Sequence, residues 1–331
     1  MISVRKKNHL ADIAFLGVVL ILVLVLLYSG LRVLESAVLR GSQQEQNAAT
    51  DKTLVREDVH YFPRQDITVV LVMGIDQYGP VSDSEAYNNP GAADMVMLLI
   101  FDEKNEVCNV LHLNRDTMME MPVLGLGGRE AGTYYGQLAL SHTYGSGLED
   151  SCENTRKAVS NFLYGITIDH YVAMNMDAIS ILNDAVGGVT VQVTEDFSQV
   201  DPTIGWGTVT LKGEQAIHFV RTRKDVGDQL NLSRIDRQQE YMDGFVDALR
   251  AKQEQDGEFI AKAYEEVAPY LVTDCSVNAI SGMMDKYGDY AIGEVVSPEG
   301  RNVMGEEHFA FYVDEEKLDD LILRIFYAPK T

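Results

Sequence analysis

The sequence predicts an α/β layered domain held behind a single membrane-spanning helix. Three observations carry this reading. Apolar runs of strand length, ITVVLVMG from Ile67, DMVMLLIFD from Asp94 and EVCNVLHLN from Glu106, are rich in Val, Ile and Leu, as in strands covered on both faces. Helical spacing then alternates with further strand patterns, and interleaved β and α segments build layered α/β folds. Finally, residues 13–31 read IAFLGVVLILVLVLLYSGL, nineteen residues without a charge, which is the length a helix needs to cross roughly 30 Å of hydrocarbon.

The membrane segment sets the expected compartment. Arg5, Lys6 and Lys7 precede it, so the positive-inside rule keeps residues 1–12 in the cytoplasm as a short tail and sends the rest of the chain outside, as a single-pass protein of the cell membrane. An uncleaved anchor is favoured over a cleaved signal peptide, because the run exceeds the usual apolar core of a leader and no small-residue cleavage site follows. Residues 32–65 are polar and of mixed charge without sustained periodicity, which reads as a stalk or spacer.

From residue 66 to 331 the pattern is that of one domain. After the three apolar strands, Gln137 to Tyr144 has helical character, and a longer helix opens with the capping-box-like Asp150-Ser-Cys-Glu153 and closes at Gly165. DHYVAMN reads as a strand, DAISILNDAV as a helix stopped by Gly187-Gly188, and VTVQV as an alternating strand. Gly213 to Phe219 is a short helix. Arg234 to Arg250 is a longer one, with Ile235, Met242, Phe245, Val246 and Leu249 on its apolar stripe. Two further helices, a strand over His308 to Val313 and a terminal helix from Glu315 to Tyr327 complete the chain.

The chain has 331 residues, with 27 Lys and Arg against 50 Asp and Glu, a net charge of −23. A surface this acidic repels phosphate backbones and excludes a general nucleic-acid binder, so no nucleic-acid partner is expected. Any anionic ligand needs a local basic patch. Cys108, Cys152 and Cys275 are far apart and form no CxxC pair, which suggests neither a disulfide framework nor a zinc site. GxxxxGK[ST], HExxH, GxSxG and an EF-hand loop are all missing from the sequence, leaving P-loop, zincin and serine-hydrolase chemistry without support. The scattered histidines, His142 among them, read as core residues.

The arginines are unevenly placed for so acidic a chain. Arg115 follows a strand, Arg221 and Arg223 share one face if extended, and Arg234, Arg237, Gln238 and Tyr241 fall along one helical stripe. Two destinations are open to them. They can pair with surface carboxylates, the commoner fate on spacing alone, or converge as fork-shaped donors on a phosphate. Asp76, just past the first strand, and Asp94, at the start of the next, suit a hard cation such as Mg2+ shared with substrate phosphates.

The ordered series VLVMGID, ADMVMLLIFD, LHLNRDT, GQLALSHTYG, IDHYVAMNMDAISILNDAVGGVTVQV, LKGEQAIHFVRTR and SRIDRQQ, over about residues 67–250, resembles the LytR-CpsA-Psr (LCP) family of bacterial cell-envelope proteins. The resemblance implies an α/β/α sandwich around a mixed central sheet, with an apolar groove for a polyprenyl tail. It implies a phosphotransferase that moves a phosphoglycan, such as teichoic acid or capsule, from an undecaprenyl-pyrophosphate carrier to peptidoglycan. By position, Asp76 and Asp94 match the family's Mg2+- or Mn2+-linked aspartates, and Arg115, Arg221, Arg223, Arg234 and Gln238 match its head-group ligands; Arg115, Asp76 and Asp94 are the catalytic candidates. Gln137 and Ala139 stand where many members have Lys and Asn, and Ala92 where an Arg is frequent, so Gln137 is carried as a head-group contact of altered character. Residues 77–93 form an enlarged loop beside the site. Alternatives to turnover are a polyprenyl-phosphate carrier or sensor, and the older family description of transcriptional attenuator, which an acidic, outward-facing domain disfavours.

Overall fold

The computed structural model describes residues 54–329, except 57, 85–86, 126–127, 223–225, 227–230, 257–258, 276–281, 284–285, 288–289 and 305–308. The segment 13–31 lies outside the described residues, and among those described no helix is long and apolar enough to cross a membrane.

Elements follow in chain order: β1 (Leu54–Arg56), β2 (Val59–Pro63), β3 (Ile67–Ile75), β4 (Ala93–Asp102), β5 (Val107–Leu113), β6 (Met118–Leu124) and β7 (Glu130–Gln137). A 3-10 segment (Leu138–Thr143), α1 (Glu149–Phe162), β8 (His170–Asn175), α2 (Asp177–Ala185), β9 (Val189–Val193), β10 (Gly207–Leu211) and α3 (Glu214–Arg221) come next. The chain continues through α4 (Asn231–Gln255), α5 (Phe259–Val267), β11 (Leu271–Thr273), β12 (Ala291–Val296), β13 (Gly300–Met304), β14 (Phe309–Val313), α6 (Glu315–Phe326) and β15 (Tyr327–Pro329).

The three apolar runs become the middle of a six-stranded sheet in the order β11-β8-β3-β4-β5-β12. Its pairing is mixed: β3–β4, β4–β5 and β8–β11 are antiparallel, β3–β8 and β5–β12 parallel. Successive side chains on a strand point to opposite faces. Val70, Val72, Met97, Leu99 and Phe101 therefore meet α2, α3, α4 and α5 on one side, while Leu71, Met73, Val96, Leu98 and Ile100 meet α1, α6 and the 3-10 segment on the other. Val70 through Met73 are wholly buried. An unbroken apolar run is what a strand between two helical layers requires.

Local chemistry fixes two helix ends, the first at the glycine stop read from the sequence. Gly187 and Gly188, which end α2, both take the left-handed backbone (φ 89° and 95°) that other residues adopt only with strain. Asp314 caps α6 by accepting from Lys317 N at 3.4 Å.

Three expectations are corrected. Residues 54–63, assigned above to the spacer, form β1 and β2, and β2 pairs antiparallel with β15, Pro63 opposite Tyr327. That partner lies at the far end of the chain, where no local pattern reveals it. The stretch read as a helix from Gln137 divides into the last residue of β7 and a 3-10 turn. At α1 the Asp150-to-Glu153 box does not form a cap: the helix begins at Glu149, and Asp150 instead accepts from Ser146 N (3.0 Å to Oδ2) and Ser151 N (2.9 Å to Oδ1).

Candidate active site

Strands β3, β5 and β8 run one way and β4 the other, so the carboxyl ends of the first three and the start of β4 share one edge of the sheet. Asp76 leaves β3 there, with its N–H donated to Ala92 O at 2.9 Å. Asp94 begins β4, Arg115 follows β5, and α3 delivers Arg221 at its last turn.

Arg237 holds that turn in place. It is 5% exposed, donates through Nε to Phe219 O at 3.0 Å, and also binds Thr222 O and the Glu195 carboxylate. Its guanidinium lies 5.6 Å from the Phe197 ring centroid. One arginine of the helical stripe is therefore a buried clamp behind the site.

The four groups at the edge form two acid–base pairs. Arg115 Nη1 donates to Asp94 Oδ1, and Arg115 Nε lies 3.5 Å from Asp116 Oδ1. Arg221 Nη2 donates to Asp76 Oδ1 at 2.5 Å, and its Nη1 to the Tyr78 hydroxyl at 2.8 Å. The pairs are half-open, at 31% and 22% side-chain exposure for Arg115 and Asp94, and 41% and 33% for Arg221 and Asp76. Burial raises the Asp94 pKa above the usual carboxylate range; Arg115 works against that shift and Asp76 adds to it through charge repulsion. Two carboxylates close enough to repel, each flanked by a guanidinium, offer hard oxygen donors for a divalent ion and fork donors for a phosphate. The donor chemistry fits Mg2+.

The loop after β3 is pinned by residues that sequence reasoning passed over. Asn175 Nδ2 donates to Gly79 O at 2.9 Å, Asp177 accepts from Gly79 N, and Met176 N donates to Gln77 O at 2.9 Å. Gly79 takes φ 81°, and this turn presents Tyr78 to Arg221. Asp116, next to Arg115 in the RDT segment, was the one missed residue with a visible signal. Gln137 lies beside Asp116, donating to its Oδ1 at 3.1 Å and to Phe309 O at 2.7 Å, so its amide faces these acceptors. Arg223 lies outside the described residues. Arg234 and Gln238 lie on α4, but their side chains fall outside the described residues.

His142 is a buried scaffold residue. Its Nδ1 donates to Gly91 O at 2.7 Å, and burial lowers its pKa, which keeps the ring neutral and fixes the proton on Nδ1. Asn89 donates back to His142 O at 2.8 Å, which ties the loop leading into Asp94 to the 3-10 segment.

Fold and site together define a mixed-sheet α/β protein whose paired aspartates and arginines share the carboxyl edge of the sheet. The LytR_cpsA_psr family model matches residues 34–322, and the chain belongs to that family. It is 30% identical over 207 residues to the polyisoprenyl-teichoic acid–peptidoglycan teichoic acid transferase TagU of Halalkalibacterium halodurans, covering 62% of this chain and 61% of that one. It is 27% identical over 196 residues to TagU of Bacillus subtilis, covering 59% and 56%. The matches thus span under two thirds of these curated relatives. The crystal structure of B. subtilis TagV shares the fold, with a TM-score of 0.55 and 23% identity over 79% of this chain and 96% of that one.

Proposed function

We propose that this chain is an extracytoplasmic phosphotransferase, anchored through residues 13–31, that moves a teichoic-acid-like or capsule-like phosphoglycan from an undecaprenyl-pyrophosphate carrier to peptidoglycan. The observation that carries the reading is the meeting of Asp76, Asp94, Arg115 and Arg221 at one sheet edge. Family membership and the names of the TagU relatives support it.

Phosphoryl transfer asks a protein mainly for in-line positioning and for neutralising charge on the phosphoryl and leaving oxygens. Asp76 and Asp94 would hold Mg2+ or Mn2+, which would supply charge neutralisation at the pyrophosphate. Arg115 and Arg221, released from their carboxylates, grip the phosphates, with Arg223, Arg234 and Gln238 as the further head-group contacts. An acceptor hydroxyl oxygen bonds to the glycan-bearing phosphorus and gives up its proton to solvent or to a carboxylate of the site. The bond to the bridging oxygen breaks, and the lipid monophosphate leaves against the guanidinium groups. The ion pairs place both guanidinium groups at the edge where the phosphates would arrive.

The test is reconstitution. The full chain in detergent, a polyprenyl-pyrophosphoryl oligosaccharide and a peptidoglycan fragment are combined with and without Mg2+, and products are followed by mass spectrometry. Metal-dependent phosphodiester formation that is lost in Asp76→Ala supports the proposal. Tight lipid binding without product, in an assay where an active relative turns over, replaces it with the carrier reading.

A further inference from the structure

The opposite end of the sheet carries a second cluster of chemistry-bearing groups. β11 pairs antiparallel with β8, Thr273 opposite Val172, so the ladder continued by two residues sets Asp274 beside Tyr171 and Cys275 beside His170. Tyr171 N donates to Asp274 Oδ1 at 2.9 Å. The same oxygen lies 3.5 Å from His170 Nδ1 and 3.8 Å from Cys275 Sγ. His170 Nδ1 is itself buried and makes no hydrogen bond, although it sits within ion-pair range of Asp274. All three candidate ligand atoms lie within 4.8 Å of one another.

We propose that His170 Nδ1, Asp274 Oδ1 and Cys275 Sγ form a binding site for one divalent ion of the zinc class. The donor set decides the class. Imidazole and thiolate are borderline-to-soft ligands that suit zinc over magnesium or calcium. A tetrahedral zinc with bonds of about 2.0–2.3 Å holds its ligands roughly 3.3–3.6 Å apart. The separations of 3.5 and 3.8 Å around Asp274 Oδ1 come within a few tenths of an ångström of that geometry. Three protein ligands leave one position for water.

The other charged groups facing the cluster come from α1: Arg156 Nη1 lies 3.9 Å from Asp274 Oδ2, and Arg156 is paired in turn with Glu153. Arg156 thus approaches the second carboxylate oxygen and leaves Oδ1 toward the imidazole. β11 is a three-residue edge strand, so an ion here would fasten it to β8. The length of β8 separates the cluster from the Asp76 edge by roughly 17 Å.

Zinc alone is the first probe, with the full-length chain treated with chelator, reloaded, dialysed and weighed by native mass spectrometry; Co2+ is the second. One zinc per chain is expected, together with a thiolate-to-cobalt charge-transfer band. Loss of an inner ligand in His170→Ala or Cys275→Ala should weaken zinc at least about 100-fold, beyond the 10- to 100-fold typical of outer partners. Cys275→Ser, nearly isosteric, abolishes the cobalt band while circular dichroism reports the fold, and Asp76→Ala leaves zinc binding unchanged. Zinc retained equally by Cys275→Ala and the wild type, no stoichiometric zinc, or loss of the ion in Asp76→Ala would each overturn the assignment.

Discussion

Replacing Arg115 by alanine separates chemistry from folding at the site. Arg115 and Asp94 are 31% and 22% exposed, so their ion pair is partly solvated. Such a pair contributes at most about 1 kcal/mol. In a domain of this size that lowers Tm by about 2–4 °C. Turnover should suffer far more. Removing one preorganised donor from a developing oxyanion costs about 10²- to 10³-fold, or roughly 2.7–4 kcal/mol. Metal binding should move in a third way. Burial raises the Asp94 pKa and Arg115 is the strongest influence opposing that rise, so Arg115→Ala raises it further. At the proposed Mg2+ site the ion needs the ionised carboxylate, so the acid limb of Mg2+ binding and activity should shift upward in the variant. Well above that limb Asp94 lacks its internal counter-ion and should bind Mg2+ at least as tightly as in the wild type. Product formation, calorimetric unfolding and Mg2+ titration across pH check all three. A loss of turnover no larger than the roughly fivefold that 1 kcal/mol represents, or a collapse of Mg2+ affinity at high pH, would refute the head-group role of Arg115.

Other expectations concern the scaffold. Arg237→Ala strands the Glu195 carboxylate and frees the last turn of α3, a loss of about 3–5 kcal/mol; Arg221→Ala, at the half-exposed pair, should leave urea midpoints near the wild type. Asp102 is 3% exposed, and although burial disfavours its charge, Arg64 and the amides of the following turn hold its pKa down to about 2. A depressed carboxyl contributes stability that is present above its unfolded pKa of about 3.9 and is lost as pH falls through its folded value, here about 2 kcal/mol between about pH 4 and 2; Asp102→Asn should remove that part of the acid transition. An alanine Cβ at Gly244 would sit 2.3 Å from Thr190 O and 2.9 Å from Val189 Cγ1. Strand backbone cannot give way, so Gly244→Ala should destabilise by about 1–3 kcal/mol before crediting Ala with the up to about 1 kcal/mol it gains over Gly in a helix; an increased urea midpoint would show that α4 shifts off β9 freely.

Part of the candidate site was legible as positions along the chain. Asp76, Asp94 and Arg115 stand at the ends of apolar runs that the sequence marks clearly, and the structure joins all three with Arg221. Tyr78 gave no signal, because its role depends on the turn at Gly79 and on Asn175 and Asp177 from another strand–helix unit. Arg237 stood on the same stripe as the head-group candidates, yet its side chain turns into the protein to satisfy the carbonyls of Phe219 and Thr222. Helical spacing assigns a face and leaves open what that face meets.

By itself the sequence determined the elements whose information is local: the twice-covered strands β3, β4 and β5 through their unbroken apolar runs, α2 through its glycine stop, and the acidic bulk field. Pairing between distant segments was decided only by the tertiary structure. The short strands β2, β11 and β15 have too few residues to carry a periodic signal and are stabilised by partners far along the chain. That pairing turned residues 54–63 from spacer into sheet, and it set Cys275 against His170 in a chain whose cysteine spacing suggested no metal. Register is a property of two strands together, and neither strand's sequence holds it alone.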